Sequence, residues 1–131
     1  MIQLDSCAVL KLVRPEQETA ALTGWLGEHR GTPLVASALV RVEVMRALTR
    51  VEADRGDRSR AALLLSGLHL HPVADDVLEL AAGIGGQHLR SLDALHLATA
   101  LVQRSSPTLV TYDKRLAAAA EDEGIPVAMP L

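Results

Sequence analysis

Short apolar runs alternate with longer helical stretches along this whole chain, and few architectures accept that rhythm. Strands separated by helices are joined by crossovers, so they run parallel, and the expected class is α/β. Residues 2–4 read as a first strand and 6–13 as a short helix stopped near Pro15. A helical stretch follows over 16–28, then a turn at Gly31 and Pro33 and a second strand over 34–36. Ser37 reads as the N-cap of a long helix carrying Val40, Val44, Ala47, Leu48 and Val51. A break at 54–57 and a resumption over 59–67 make this pair a helical hairpin. A third strand is expected over 68–73, helices over 74–83 and 91–103, and a strand over 108–112. The 91–103 helix would turn Leu92, Leu95, Thr99 and Val102 inward. The chain closes with a helix over 114–123, stopped by Gly124, and an edge strand over 127–129.

Bulk properties set limits on function. The chain has 131 residues, 49% hydrophobic and 22% charged, which suits one globular domain over 1–131. No apolar run approaches the roughly 20 residues of a membrane span. The acid at Asp5 stands where a signal peptide needs a basic start and an apolar run, and the single cysteine, Cys7, suits a reducing compartment. A cytoplasmic location is expected. The net charge of −3 is not that of a nucleic-acid binder, so any RNA contact needs a local basic rim or bound metal.

Four acids fall at informative places. Asp5 follows the first strand directly, and Asp113 follows the 108–112 strand. Parallel sheets gather functional groups at the carboxyl ends of their strands, so these two meet if their strands are neighbours. Asp93 lies in the first turn of the 91–103 helix and Glu43 inside the helix after Ser37. Each also has a purely structural reading. Asp5 and Asp113 suit helix N-caps, Asp93 gains from the helix dipole, and Glu43 can pair with Arg46 at i,i+3. Convergence is what favours chemistry. Four carboxylates in one pocket repel each other and oppose folding unless they hold a hard cation, Mg²⁺ or Mn²⁺.

The runs MIQLDSCAVLKLV, SALVRVEVMRAL, LRSLDALHLATAL and TLVTYDKRLAAAAEDEGI resemble the PIN-domain ribonucleases, above all the toxins of the VapC type. The family pattern of Asp then Ser or Thr falls on Asp5 and Ser6, and Glu followed by Arg-Ala on Glu43, Arg46 and Ala47. Asp before Leu-His-Leu-Ala falls on Asp93 with His96, and Thr-x-Asp on Thr111 and Asp113. The resemblance covers nearly the whole chain. It implies a PIN-like αβα sandwich with a central, mostly parallel sheet and a protruding helical hairpin. It further implies a Mg²⁺ or Mn²⁺ site on Asp5, Glu43, Asp93 and Asp113, endonucleolytic RNA cleavage, a homodimer, and inhibition by a cognate antitoxin protein.

Other residues are weighed beside these. Ser6 and Thr111 adjoin the acids and can orient a carboxylate or a bound water. Arg46, Arg90, Lys114 and Arg115 can hold RNA phosphates or simply be solvated charge. His96 reads as a packed or hydrogen-bonded histidine, Cys7 as a small buried thiol, and His69 and His71 share one strand face with no assigned role. With only Trp25 and Tyr112 as aromatics, base stacking is a poor basis for recognition. Three leucines in a row, Leu63 to Leu65, cannot all face one core from a helix, and Val42 and Met45 lie off the main stripe. The hairpin is therefore expected to offer apolar surface to an antitoxin helix, the alternative being that Leu63 to Leu65 are buried within the domain or in a homodimer contact. Competing functions fit less well. A receiver domain wants an acidic pair where Asp5 is followed by Ser6, and a haloacid-dehalogenase-like phosphatase wants a second Asp where Cys7 stands. A non-catalytic PIN-like scaffold has no need of all four acids.

Overall fold

The computed structural model describes residues 1–131. Its elements run β1 (Ile2–Leu4), α1 (Ser6–Val13), α2 (Thr19–Glu28), β2 (Leu34–Ser37), α3 (Val40–Arg50) and α4 (Arg55–Ser66). They continue with β3 (His69–His71), α5 (Asp75–Gly83), α6 (Ser91–Leu101), β4 (Thr108–Val110), α7 (Lys114–Asp122) and β5 (Val127–Ala128). The five strands form one sheet in the order β3-β2-β1-β4-β5, and every pairing is parallel. Strand β1 is central, with β2 on one side and β4 on the other.

Alternation along the strands sorts residues between two cores. Ile2, Leu4, Ala36 and Val110 join α1, α2, α3 and α4 through Val9, Leu22, Val44, Leu48 and Ala61. On the other face Leu109 packs with Leu97 and Ala100 of α6 and Leu116 and Ala120 of α7. Gln3 points the same way, buried, and its Nε2 donates to the backbone oxygen of His96, tying β1 to α6. Helices thus cover both sides of the sheet, the αβα arrangement expected.

Three local readings change. Ser37 is no helix cap: it is the last residue of β2, paired with His71, and its hydroxyl accepts from the Leu39 N–H, so α3 starts at Val40. Helix α6 does not turn one leucine stripe inward. Ala94, Leu97, Ala98 and Ala100 are buried and Leu92 is 48% exposed, because α6 lies between the sheet, α5 and α7 and its alanines allow close approach on several sides. Helix α4 starts at Arg55, capped by Asp54, whose side chain accepts from the Asp57 N–H, so the hairpin turn is shorter than the sequence suggests. Within the hairpin, Met45, Leu64 and Leu65 pack against the core, whereas Val42 and Leu63 are 60% and 75% exposed.

Candidate functional site

The carboxyl ends of β1 and β4 lie side by side, and each delivers an aspartate at the next helix start. Asp5 caps α1: its Oδ1 accepts from the Ala8 N–H at 2.8 Å. Asp113 caps α7: its Oδ1 accepts from the N–H groups of Arg115 and Leu116 at 2.8 and 3.0 Å. The capping reading is therefore correct for both, and it does not compete with a role in chemistry. Capping uses one oxygen of each and fixes the side chain in place.

Thr111 gives the Thr-x-Asp spacing its physical sense. Its hydroxyl donates to Asp5 Oδ2 at 2.5 Å and accepts from the Asp113 N–H at 3.1 Å, so one side chain holds both acids in register. Ser6, the other hydroxyl singled out, is not among the partners of Asp5, which are Ala8 and Thr111.

Asp93, in the first turn of α6, lines a cavity of about 340 Å³ with Asp113, Arg90, Lys114 and Arg115. Two acids and three cations thus share one open cleft. Arg46 lies outside it, exposed on α3. Glu43 does not pair with Arg46 either. Its Oε1 lies 2.6 Å from His96 Nε2, across 53 residues of sequence, and with Glu43 ionised that nitrogen is the donor. His96 is buried at 1% exposure, and its Nδ1, like Gln3 Oε1, has no partner. Its part as the anchor of Glu43 was not legible: nothing in a sequence ties a histidine on one helix to a glutamate on another.

The electrostatics join all four acids. Burial raises the pKa of Asp5; the Thr111 and Ala8 hydrogen bonds and the nearby His96 lower it, and Asp93 adds to the rise. Burial also raises Asp93, and Asp113 and Glu43 push it further against the opposing influence of His96 and Arg90. Cys7 is exposed rather than buried as expected, because the first turn of α1 opens toward solvent. Its thiol is pushed up to about 11 by desolvation and by Asp5, Asp113 and Asp93, so it stays protonated at neutral pH.

Raised acids imply a sign for stability against pH. The folded state binds protons more tightly than the unfolded chain at Asp5 and Asp93. Their stabilising contribution is therefore present at low pH and lost as pH rises through their folded pKa values. Metal-free protein is expected to lose stability as pH rises from about 4 toward neutrality, and Asp5→Asn should flatten that loss. Thermal melts in chelator check this; a melting temperature that climbs steadily over the same range contradicts it.

The donors suit a hard divalent cation in type, being carboxylates that repel one another without one. No group of three or more His, Cys, Asp or Glu side chains is placed to hold a metal ion unaided. That suits a water-rich site, in which one or two carboxylates and substrate phosphate complete the shell, as is usual for Mg²⁺. No helix is long and apolar enough to cross a membrane.

The family model for the PIN domain matches residues 2–122. Ribonuclease VapC47 of Mycobacterium tuberculosis is 41% identical over 133 residues, covering 99% of this chain and 97% of that protein. Ribonuclease VapC46 of the same species is 44% identical over 134 residues, covering 98% and 97%. Among solved structures, a toxin–antitoxin complex from Klebsiella pneumoniae superposes with a TM-score of 0.74 at 22% identity, over 100% of this chain and 98% of that one. At that identity the likeness speaks for the fold, while the sequence relatives speak for the family. The chain belongs to the PIN-domain family, among the VapC ribonucleases.

Proposed function

We propose that this protein is a divalent-metal-dependent endoribonuclease and the toxin of a toxin–antitoxin pair, acting on RNA in the cytoplasm. The observation that carries the reading is the cleft at the ends of β1 and β4, where Asp93 and Asp113 face Arg90, Lys114 and Arg115. An acidic floor with a basic rim suits a phosphodiester, whose charge would otherwise be repelled by a protein of net charge −3. Asp5, Glu43, Asp93 and Asp113 are the residues that would hold Mg²⁺ or Mn²⁺, one or two of them directly and the others through bound water. When bound, such a cation polarises the phosphoryl group and lowers the pKa of the attacking water.

The chain's own groups do the rest. Arg90, Lys114 and Arg115 hold phosphates on either side of the bond to be cut. Asp93, partly exposed in the cleft, would orient the attacking water by accepting a hydrogen bond from it. Thr111 fixes Asp5 and opposes the rise in its pKa by donating to its Oδ2. The test is incubation with RNA in Mg²⁺ or Mn²⁺ and again with chelator. Internal cleavage that needs the ion supports the proposal, and failure to cut any RNA in either metal refutes it.

The likeness to a solved toxin–antitoxin complex extends the proposal to an antitoxin partner, and exposed apolar residues extend it to a homodimer. Leu78 and Leu92, half-exposed on the packed pair α5 and α6, offer apolar surface for a second copy. Val42 and Leu63 offer a separate patch on the α3–α4 hairpin for an antitoxin helix. Leu63→Asp is expected to weaken antitoxin binding by about tenfold or more while RNA cleavage by the free protein stays unchanged. Calorimetric titration with the cognate antitoxin decides, and an unaltered affinity removes Leu63 from that interface.

A further inference from the structure

A second cavity, of about 270 Å³, adjoins the acidic cleft and is lined by Cys7, Leu10, Lys11, Glu16, Tyr112 and Asp113. Asp113 lines both cavities, so a ligand seated here lies one residue's width from the proposed phosphate position. The size falls just below the ~300–1,000 Å³ of pockets for drug-sized ligands, which suits one planar ring system.

The walls are mixed in a way that solvated surface is not. Leu10 and Tyr112 supply apolar sides. Lys11 is buried, at 8% exposure. Its ammonium donates to two carboxylates, at 2.7 Å from Glu16 and 2.8 Å from Glu18. It also lies 4.7 Å from the centre of the Tyr112 ring, within reach of a cation–π contact. The Tyr112 hydroxyl donates to the backbone oxygen of Pro130, which fixes that ring. The cavity is therefore preformed, and the Lys11 charge is already matched by two carboxylates and turned toward the Tyr112 ring, which leaves it a weak site for a phosphate. What remains available is Glu16: its Oε2 takes the Lys11 ammonium, and its Oε1 has no partner in a half-exposed side chain.

We propose that this cavity is a nucleobase subsite for the nucleotide next to the scissile phosphate, and that Glu16 favours guanine and other amino-bearing bases over uracil. The inference rests on the ribonuclease reading for its position beside the cleft. A carboxylate oxygen accepts hydrogen bonds and donates none. Guanine presents two adjacent donors, N1–H and the 2-amino group, and adenine and cytosine each present an amino group. Uracil presents one N–H flanked by two carbonyl oxygens, which a carboxylate repels. Recognition then runs through the edge of the base, as is usual for single-stranded RNA, with Tyr112 as the one aromatic wall. The phosphates fall to Arg90, Lys114 and Arg115 next door.

The experiment titrates the four ribonucleoside 5′-monophosphates into the full chain and follows backbone amide resonances. All four share the phosphate and ribose, so differences report the base. GMP is expected to shift the amides of Cys7, Lys11 and Tyr112 at about tenfold lower concentration than UMP, the worth of one hydrogen bond to a charged group. Glu16→Gln, whose amide also donates, should reduce that preference to less than about threefold. Cys7→Leu, which narrows the cavity without touching Glu16, should weaken all four nucleotides at these amides. Equal responses to GMP and UMP overturn the proposal, as does an unchanged preference in Glu16→Gln with a wild-type melting temperature. The readout is binding, so the two ideas fail separately. No RNA cleavage in the metal assay sinks the nuclease reading and with it the place beside a scissile phosphate, while a retained GMP preference still shows base selection by the cavity; cleavage with equal responses to GMP and UMP sinks the subsite alone.

Discussion

Asp5→Asn is expected to lower metal-dependent RNA cleavage by on the order of a thousandfold or more while the protein stays folded. The substitution keeps the shape of the side chain and one carbonyl oxygen, which can still accept the Ala8 N–H and cap α1. It removes the formal charge that the proposed cation needs, and it replaces Oδ2, the acceptor of the Thr111 hydroxyl, when the amide nitrogen faces that way. Opposing effects act on stability. A buried carboxylate is relieved of desolvation and of repulsion from Asp93, and the Thr111 hydroxyl loses its strongest acceptor. Burial is the largest influence on Asp5, so without metal at neutral pH the balance favours the variant, with a higher melting temperature than the wild type. In saturating Mg²⁺ the order should reverse if the wild type gains from binding and the variant does not. Cleavage rates and paired melts with and without metal check both halves. Wild-type cleavage by the variant takes Asp5 out of the site.

That prediction was available from the sequence because strand ends carry positional meaning. Asp5 and Asp113 stand directly after apolar runs, and a parallel sheet puts such residues on one edge. The structure adds only that β1 and β4 are neighbours. Thr111 was legible for the same reason, standing two residues before Asp113 just past the end of β4. Glu43 and Ser37 were harder. A helix pattern says which residues share a stripe but not which other element faces them, so Glu43 was matched to Arg46 on its own helix and not to His96 on α6. Ser37 looked like a cap because serine before an apolar stripe usually is one, yet the ladder to His71 claimed its backbone first. Cys7 departs from the expected burial because small apolar residues are usually interior, whereas the first turn of α1 faces solvent and the cavity beside the cleft. The Lys11, Glu16 and Tyr112 cavity had no sequence signal at all. It joins α1, the loop before α2 and the end of β4, and only the fold brings those together.

His96→Leu is expected to lower cleavage by about 10- to 100-fold, the usual cost of removing a group that orients a metal-site carboxylate. His96 touches no reacting atom in this scheme and acts as a positioning residue for Glu43. Leucine fills much of the same buried volume, so the change chiefly deletes the Nε2 contact at 2.6 Å. Glu43, 19% exposed and close enough to Asp93 to raise its proton affinity, then has no partner and is free to swing toward solvent. Loss of a hydrogen bond to a charged group also destabilises the fold, by about 1–3 kcal/mol. Some of that is returned because the unpartnered Nδ1 leaves the core with the ring. Stability alone therefore cannot identify the role, and the metal dependence can. If His96 positions Glu43, the Mg²⁺ concentration for half-maximal cleavage rises in His96→Leu and recovers in part in His96→Gln, whose amide nitrogen can again donate to Glu43. If His96 only supports packing, the folded fraction falls while that concentration stays where it was, and the link between α3 and α6 is structural.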